Sequence, residues 1–394
     1  MVCDCVVCNR LIEVSSSDGN SHLRGFKIPV NLESYRSQLH EKVYIEAKVW
    51  EDGTPIHVIE SPAFHHRLRV KFHIGKDSKE CFKYGVSYGE EIKYTIFEWP
   101  TATLRINVAM RHLLVACTKS NWLSTNIYMV NFVDTLGMDD FVIALYYNKS
   151  GAADFNEVAW KLDALKYLCT LQFVQGRIKV IAKLKDRYVV ACLNELEINS
   201  HIHETGLFPN ATLVQSEGSF SNPNGVVTKR VNHWLGSIFD KLGISNAKLL
   251  ELCSGSGNHT IGLAKYFSKV VSIEIDQKLV ERAHENLALN QVKHVTAICD
   301  DMKNAQKILK KQADWCDGVF SVVIVDPPRS GLADSTCRFV SELRFDYLIY
   351  IACGEGLKRN FKILSENYSL VQLCCADHFP FTHFLEKIAI FKKA

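Results

Sequence analysis

The second half of the chain repeats one pattern. A short apolar run is followed by a stretch with apolar residues at helical spacing. "KLLELCSG", "KVVSIEID", "HVTAICDD", "FSVVIVDPP" and "YLIYIACG" are the runs. A strand that is apolar on both faces must be covered on both faces. Helices between consecutive strands supply that cover and make the strands parallel. The pattern therefore predicts an α/β domain over residues 206–394. Its last two strand-like segments, "YSLVQLCCADHF" and "EKIAIFKK", are too close for an intervening helix and predict an antiparallel hairpin at the sheet edge.

Residues 1–205 have a different texture. "KVYIEAKVW", "RLRVKFHI", "EIKYTIFEW", "NIYMVNFV" and "DFVIALYY" alternate in the manner of strands, and "FNEVAWKLDALKYLCTLQF" follows as a helix. This predicts an α+β region on an antiparallel sheet. A length of 394 residues suits two domains. The net charge of +3 is nearly balanced and excludes little. No apolar stretch reaches the ~18 residues of a membrane span, so no membrane association is expected. The first residues lack the basic-then-apolar pattern of a secretory signal. The 14 cysteines are scattered, several within apolar runs. This predicts a reduced, intracellular and cytoplasmic protein. Cys3, Cys5 and Cys8 have no partner pair at metal-ligand spacing, so they read as free thiols, and no metal is expected.

In an open α/β sheet, ligands bind beyond the carboxyl ends of the strands. The first strand ends in "ELCSGSGN". Gly255 and Gly257 permit a tight turn close to a ligand. Glu274 ends the next strand, at the spacing of an acid that accepts from ribose hydroxyls. A dinucleotide site would place a third glycine where Thr260 stands. S-adenosylmethionine has no pyrophosphate and needs only the turn and the acid, so the spacing favours the methyl donor. The fourth strand ends in "VDPPRSGL". Two prolines stiffen the loop that presents Asp326 and Arg329. "DPP" also occurs in enzymes that methylate exocyclic amines of bases, usually followed by an aromatic residue, and here Arg329 follows.

The fifth strand ends on Cys353. Cys374 and Cys375 read as small buried hydrophobes, whereas Cys353 stands at the ligand edge beside glycines. "HFPFTHFLE" brings His383 and Glu386 to the start of the last strand, a candidate acid/base beside a candidate nucleophile. In "HRLRVKFHI" period two puts Arg67, Arg69, Lys71 and His73 on one strand face. That face is either solvated or suited to phosphate contacts.

These segments, in this order, resemble the S-adenosylmethionine-dependent RNA uracil C5-methyltransferases, and most closely their bacterial-type tRNA branch acting on the T-loop uridine at position 54. "ESPAFHHRLRVKFHI", "QSEGSFSNPNGVV", "ELCSGSGN", "DPPRSGL", the strand-end cysteine and "PFTHFLE" carry the resemblance from about residue 30 onward. It implies a class I methyltransferase domain of Rossmann-like fold behind an N-terminal α+β RNA-binding domain. It implies Cys353 as nucleophile and Glu386 as proton acceptor. It implies S-adenosylmethionine contacts from Asn222, Cys253, Gly255, Asn258, Glu274 and Asp326. Arg67, Arg69, Lys71 and Arg329 are then candidate contacts to tRNA, and no obligate protein partner is implied. The chain departs from the family at Asn222 (usually Gln) and at Cys253 and His259 (usually aromatic). It also has "CGEGLKR" where the family has Asn-Pro after the nucleophile. Two other readings are a ribosomal RNA methyltransferase and an RNA-binding protein whose catalysis has decayed.

Overall fold

The computed structural model describes residues 31–50, 53–88, 91–148, 155–185, 187–193, 201–219, 221–311, 320–343 and 345–394. Cys3, Cys5 and Cys8 lie outside the described residues. The described residues form two compact units. One comprises the described parts of Met1–Tyr35, Pro62–Pro209 and Gln215–Val226. The other comprises those of Arg36–Ser61, Asn210–Val214 and Val227–Ala394. The chain thus passes between units more than once, where the sequence pattern suggested a single boundary near residue 205.

The first described element corrects an expectation. "KVYIEAKVW" belongs to a helix, Leu32–Val49, not a strand. Tyr35, Leu39, Lys42, Glu46 and Trp50 are buried while Tyr44, Ile45 and Val49 are exposed, so the stripe recurs every three to four residues. Period two was misleading because two of the residues that set the inner face are charged. Lys42 donates to Asp377 Oδ1 at 2.8 Å and to the Phe379 carbonyl at 3.1 Å. Lys387 donates to Glu46 Oε1 at 3.3 Å. Strand β1 (Ile56–Ile59) follows.

In the first unit β2 (Arg69–Lys76), β3 (Phe82–Tyr88), β4 (Glu91–Ile96), β5 (Ile127–Val133), β6 (Asp140–Tyr147), β7 (Arg177–Lys183) and β8 (Tyr188–Cys192) form one sheet in the order β4-β3-β2-β5-β6-β7-β8. Every pairing is antiparallel except β6 with β7. That parallel step needs a crossover, which helix Glu157–Cys169 makes. A second helix, Leu104–Lys119, packs Ile106, Met110, Leu113 and Cys117 into the same core. In β2, Val70, Phe72 and Ile74 are buried, so the alternation seen in the sequence holds. Strands β9 (His201–Phe208) and β10 (Ala211–Ser216) follow.

In the second unit β11 (Ala247–Leu252), β12 (Phe267–Glu274), β13 (Val295–Cys299), β14 (Phe320–Val325), β15 (Phe345–Ala352), β16 (Tyr368–Ala376) and β17 (Glu386–Lys393) join β1 in the order β1-β16-β17-β15-β14-β11-β12-β13. β11 to β15 are parallel, and β17 runs antiparallel between β15 and β16. The hairpin is therefore not the sheet edge: β1 pairs parallel with β16 outside it. Strand order reverses between β11 and β14, which opens a crevice at their carboxyl ends. Helix Gly225–Lys241 covers one face through Val231, Leu235, Ile238 and Phe239. Truncating a buried phenylalanine such as Phe239 to alanine costs about 3–5 kcal/mol. No described helix is long and apolar enough to cross a membrane.

Candidate active site

The crevice has two halves, both in the second unit. In the first, β11 gives way to a turn whose Cys253 N–H donates to the Ile273 carbonyl at 2.9 Å. Gly255 and Gly257 have φ of +57° and +86°, which favours glycine at both. Cys253 also has positive φ, +62°, a conformation costing on the order of 1–3 kcal/mol in a residue with a Cβ. Its Sγ lies 3.5 Å from Met302 Sδ, and burial pushes its thiol up to about 12. It is therefore a packing group and not a competing nucleophile.

Glu274 holds this turn closed. Its Oε2 accepts from Gly255 N at 2.9 Å, and Oε1 from Ile275 N and Asp276 N at 2.8 and 3.0 Å. Asn286, buried on helix Gln277–Leu289, braces the turn from behind by donating to the Ser256 carbonyl at 3.1 Å. Asn258 opens the short helix Asn258–Leu263, and its buried Oδ1 has no hydrogen-bond partner in this structure. Asp326 follows β14, with its N–H on the Leu252 carbonyl at 3.2 Å.

The electrostatics of this half are acidic. Burial, then Glu386, Glu251 and Glu274, hold the Asp326 carboxyl well above the usual carboxylate range. Burial also raises Glu251 to about 7, although the Thr260 hydroxyl donates to it. An anionic pyrophosphate is disfavoured here, whereas a cation is favoured. A sulfonium ligand fits that charge, and the orphaned Asn258 oxygen fits a ligand that donates.

The second half is built by β15 and β17. Ala352 pairs with Lys387 in their antiparallel register, so one further step puts Cys353 opposite Glu386. Cys353 is half-buried. Burial, then Glu386 and Asp326, raise its thiol pKa, while Arg329 acts to lower it. The thiol is thus not pre-ionised, and its proton must leave as it attacks. Arg329 sits 4.3 Å over the Phe384 ring. Glu386 faces His378, whose Nε2 lies 3.0 Å from Oε1. Burial raises Glu386, but His378 and then His259 more than offset this and leave it below its ordinary value.

The departure after Cys353 has a packing explanation. A Cβ on Gly354 would stand 2.7 Å from the Arg329 carbonyl oxygen, and one on Gly356 would stand 2.3 Å from Gly331 Cα. The "CGEG" loop therefore lies backbone to backbone on the "PPRSG" loop, closer than any side chain permits. Asn360, fully buried, ties the two together. Its Oδ1 accepts from Leu332 N at 2.9 Å and from the Tyr350 hydroxyl at 2.7 Å, and its Nδ2 donates to the Leu332 carbonyl at 3.0 Å.

The second unit thus gathers Cys253, Gly255, Asn258, Glu274, Asp326, Arg329, Cys353 and Glu386. Asn222 belongs to the first unit, where its Oδ1 accepts from Asn224 N at 3.0 Å. Arg67, Arg69 and Lys71 also lie there. Lys71 is exposed, with its ammonium 4.8 Å over Tyr146. Arg69 is half-buried and donates to the Ser219 carbonyl, close to Glu217 and Tyr146. Arg67 is also half-buried, so the stripe is less open than period two implied. His383 is exposed and lies tilted against the Phe384 ring, while His378 partners the glutamate. Cys374 and Cys375 are wholly buried in β16, and burial pushes Cys375 up to about 12. Sequence reasoning missed His378, Asn360, Met302 and the Lys42 and Glu46 contacts. Continuing the hairpin register from "CCADH" to "EK" is the signal that pairs His378's turn with Glu386.

The tRNA (Uracil-5-)-methyltransferase family model matches residues 34–394. The chain belongs to this family. A tRNA/tmRNA (uracil-C(5))-methyltransferase of Photobacterium profundum is 29% identical over 372 residues, covering 91% of this chain and 96% of that protein. One from Vibrio vulnificus is 29% identical over 374 residues, covering 91% and 97%. Among solved structures, the Pyrococcus abyssi tRNA (uracil-54, C5)-methyltransferase in complex with S-adenosyl-L-homocysteine superposes with a TM-score of 0.70. Identity there is 17%, with 93% of this chain and 86% of that one covered. The second unit has the class I methyltransferase fold, with an additional N-terminal domain, as the sequence resemblance implied. The chain is an S-adenosylmethionine-dependent RNA methyltransferase by family.

Proposed function

We propose that this member of the family forms 5-methyluridine at the T-loop uridine of tRNA. The observation that supports the reading is the β15–β17 register, whose last pair, Ala352 with Lys387, precedes Cys353 and follows Glu386 at the edge of the acidic crevice. Uracil C5 is a weak nucleophile. The Cys353 thiol loses its proton to solvent as the sulfur adds to C6, and the C5=C6 electrons move onto C5 and the C4 carbonyl. S-adenosylmethionine, when bound, would supply an electrophilic methyl group to C5, the S–CH3 electron pair leaving on the donor's sulfur. Glu386 then takes the C5 proton. The C–H electrons restore C5=C6, and the C6–S electron pair leaves with Cys353.

Gly255, Asn258, Glu274 and Asp326 would hold the donor, with Cys253 packed beside the turn. The base must leave its stack to be reached, at a cost of a few kcal/mol. Lys71, Arg67 and Arg69 of the first unit are candidate contacts to the RNA backbone, and Arg329 of the second is a separate candidate near the thiol. The scattered cysteines of the sequence, several within apolar runs, favour a reducing, cytoplasmic setting.

The test is incubation with labelled donor and unmodified tRNA, followed by nucleoside mass spectrometry. Label in 5-methyluridine of the T-loop is expected. Absence of label with both ligands bound would defeat the reading, and preferential labelling of ribosomal RNA would move the substrate assignment.

A further inference from the structure

We propose that His378 is the positioning residue for the proton acceptor: it holds Glu386 Oε1 and leaves Oε2 to take the C5 proton. This rests on the mechanism above. His378 occupies the turn after β16, is 2% exposed, and places Nε2 at 3.0 Å from Glu386 Oε1. The neighbouring residues of both strands explain why this pair is fixed. Asp377, before His378, is held by Lys42, and Lys387, after Glu386, is held by Glu46. Helix Leu32–Val49 thus clamps the outer residue of each pair, and His378 and Glu386 face each other within that clamp.

The need for such a residue follows from the crevice. The groups that act on Glu386 are His378, His259 from the start of helix Asn258–Leu263, Asp326 from the end of β14 and Cys353 from the end of β15. Glu386 helps keep both Asp326 and Cys353 protonated, so neither offers it a positive partner. His259 is half-buried, and burial of its ring lowers its pKa to about 4, so it is neutral near pH 7. Its Nδ1 lies 3.2 Å from Asn232 Oδ1, which itself is oriented by Asn232 Nδ2 donating to the Thr228 carbonyl at 3.0 Å. His259 Nδ1 is therefore the protonated nitrogen, and that proton is committed to Asn232. His378 is left as the histidine in hydrogen-bond contact with the carboxylate. A protonated Glu386 cannot act as a base.

The experiment compares His378→Leu, which removes the donor, with His378→Gln, which keeps an N–H. Both are measured on full-length protein with unmodified tRNA. For His378→Leu, kcat is expected to fall by about 10–100-fold with KM for tRNA unchanged. The acid limb of the kcat–pH profile should move to higher pH. A denaturation-resistant enzyme–RNA adduct should accumulate, because elimination is slowed while addition is not. His378→Gln should restore most of kcat and clear the adduct. Unchanged kcat and adduct level in His378→Leu would overturn the inference, as would equal losses in both variants without adduct. Absence of any adduct between the unsubstituted protein and 5-fluorouracil-containing tRNA would instead defeat the covalent mechanism, and the inference with it.

Discussion

Replacing Gly356 with alanine tests the stacking of the two catalytic loops. The new Cβ would stand 2.3 Å from Gly331 Cα and 2.4 Å from Gly331 N, where ordinary contact begins at 3.4 Å. Both obstructing atoms are backbone, so no side-chain rotation relieves the clash. The loops must part by about 1 Å, and misplacement of a reacting group by that much costs on the order of 100-fold in rate. Overpacking of this kind also destabilises by about 1–3 kcal/mol. The donor turn at Gly255 and Glu274 lies on other strands and should be undisturbed. Single-turnover methyl transfer at saturating donor measures the first effect, and calorimetry of donor binding controls for the second. The expected outcome is a rate near one hundredth of normal with donor affinity retained. A rate within about threefold of normal would show that the loops do not need this contact to align Cys353.

Two further outcomes follow from the acidic crevice. Glu251 ionises near 7 in the fold against an ordinary 4.5, a displacement equivalent to about 3 kcal/mol. Because its folded pKa is raised, the stability it contributes is complete below pH 4.5 and is lost as pH rises through about 7. Glu251→Gln should therefore gain in thermal stability relative to the unsubstituted protein at pH 8.5 but not at pH 4.5, and a pH-independent difference would contradict the assignment. Second, a bound sulfonium favours the ionised form of Asp326. S-adenosylmethionine binding near neutral pH should release a fraction of a proton, read as a binding enthalpy that depends on buffer ionisation, and uncharged-sulfur S-adenosylhomocysteine should release less. Equal release by both would contradict the account.

Much of the second unit was legible because parallel strands buried on both faces leave an unambiguous apolar signature, and because ligands gather at their carboxyl ends. Glu274, Asp326 and Cys353 are each the residue at or just past a strand end, so position marked them, whereas Cys253 came only from the family resemblance. The helix Leu32–Val49 was misread because its inner stripe includes Lys42 and Glu46, whose burial depends on Asp377 and Lys387 more than 330 residues away. Helix Leu104–Lys119 was missed although Thr103 caps it by accepting from Ile106 N at 3.3 Å. His378 was passed over for His383 because sequence distance from Glu386 favoured the latter, whereas the turn geometry favours the former. The glycines after Cys353 looked like a loss of the family's scaffold. They are instead what lets two loop backbones touch.

The central claim is that Cys353 attacks the uracil ring under the control of Glu386. Its most direct test is peptide mapping of the adduct formed with 5-fluorouracil-containing tRNA and S-adenosylmethionine, since fluorine at C5 blocks the final proton removal. The account predicts one modified peptide, cross-linked through Cys353 to the T-loop base. An adduct through Cys253, Cys374 or Cys375, or none with both ligands bound, would contradict it.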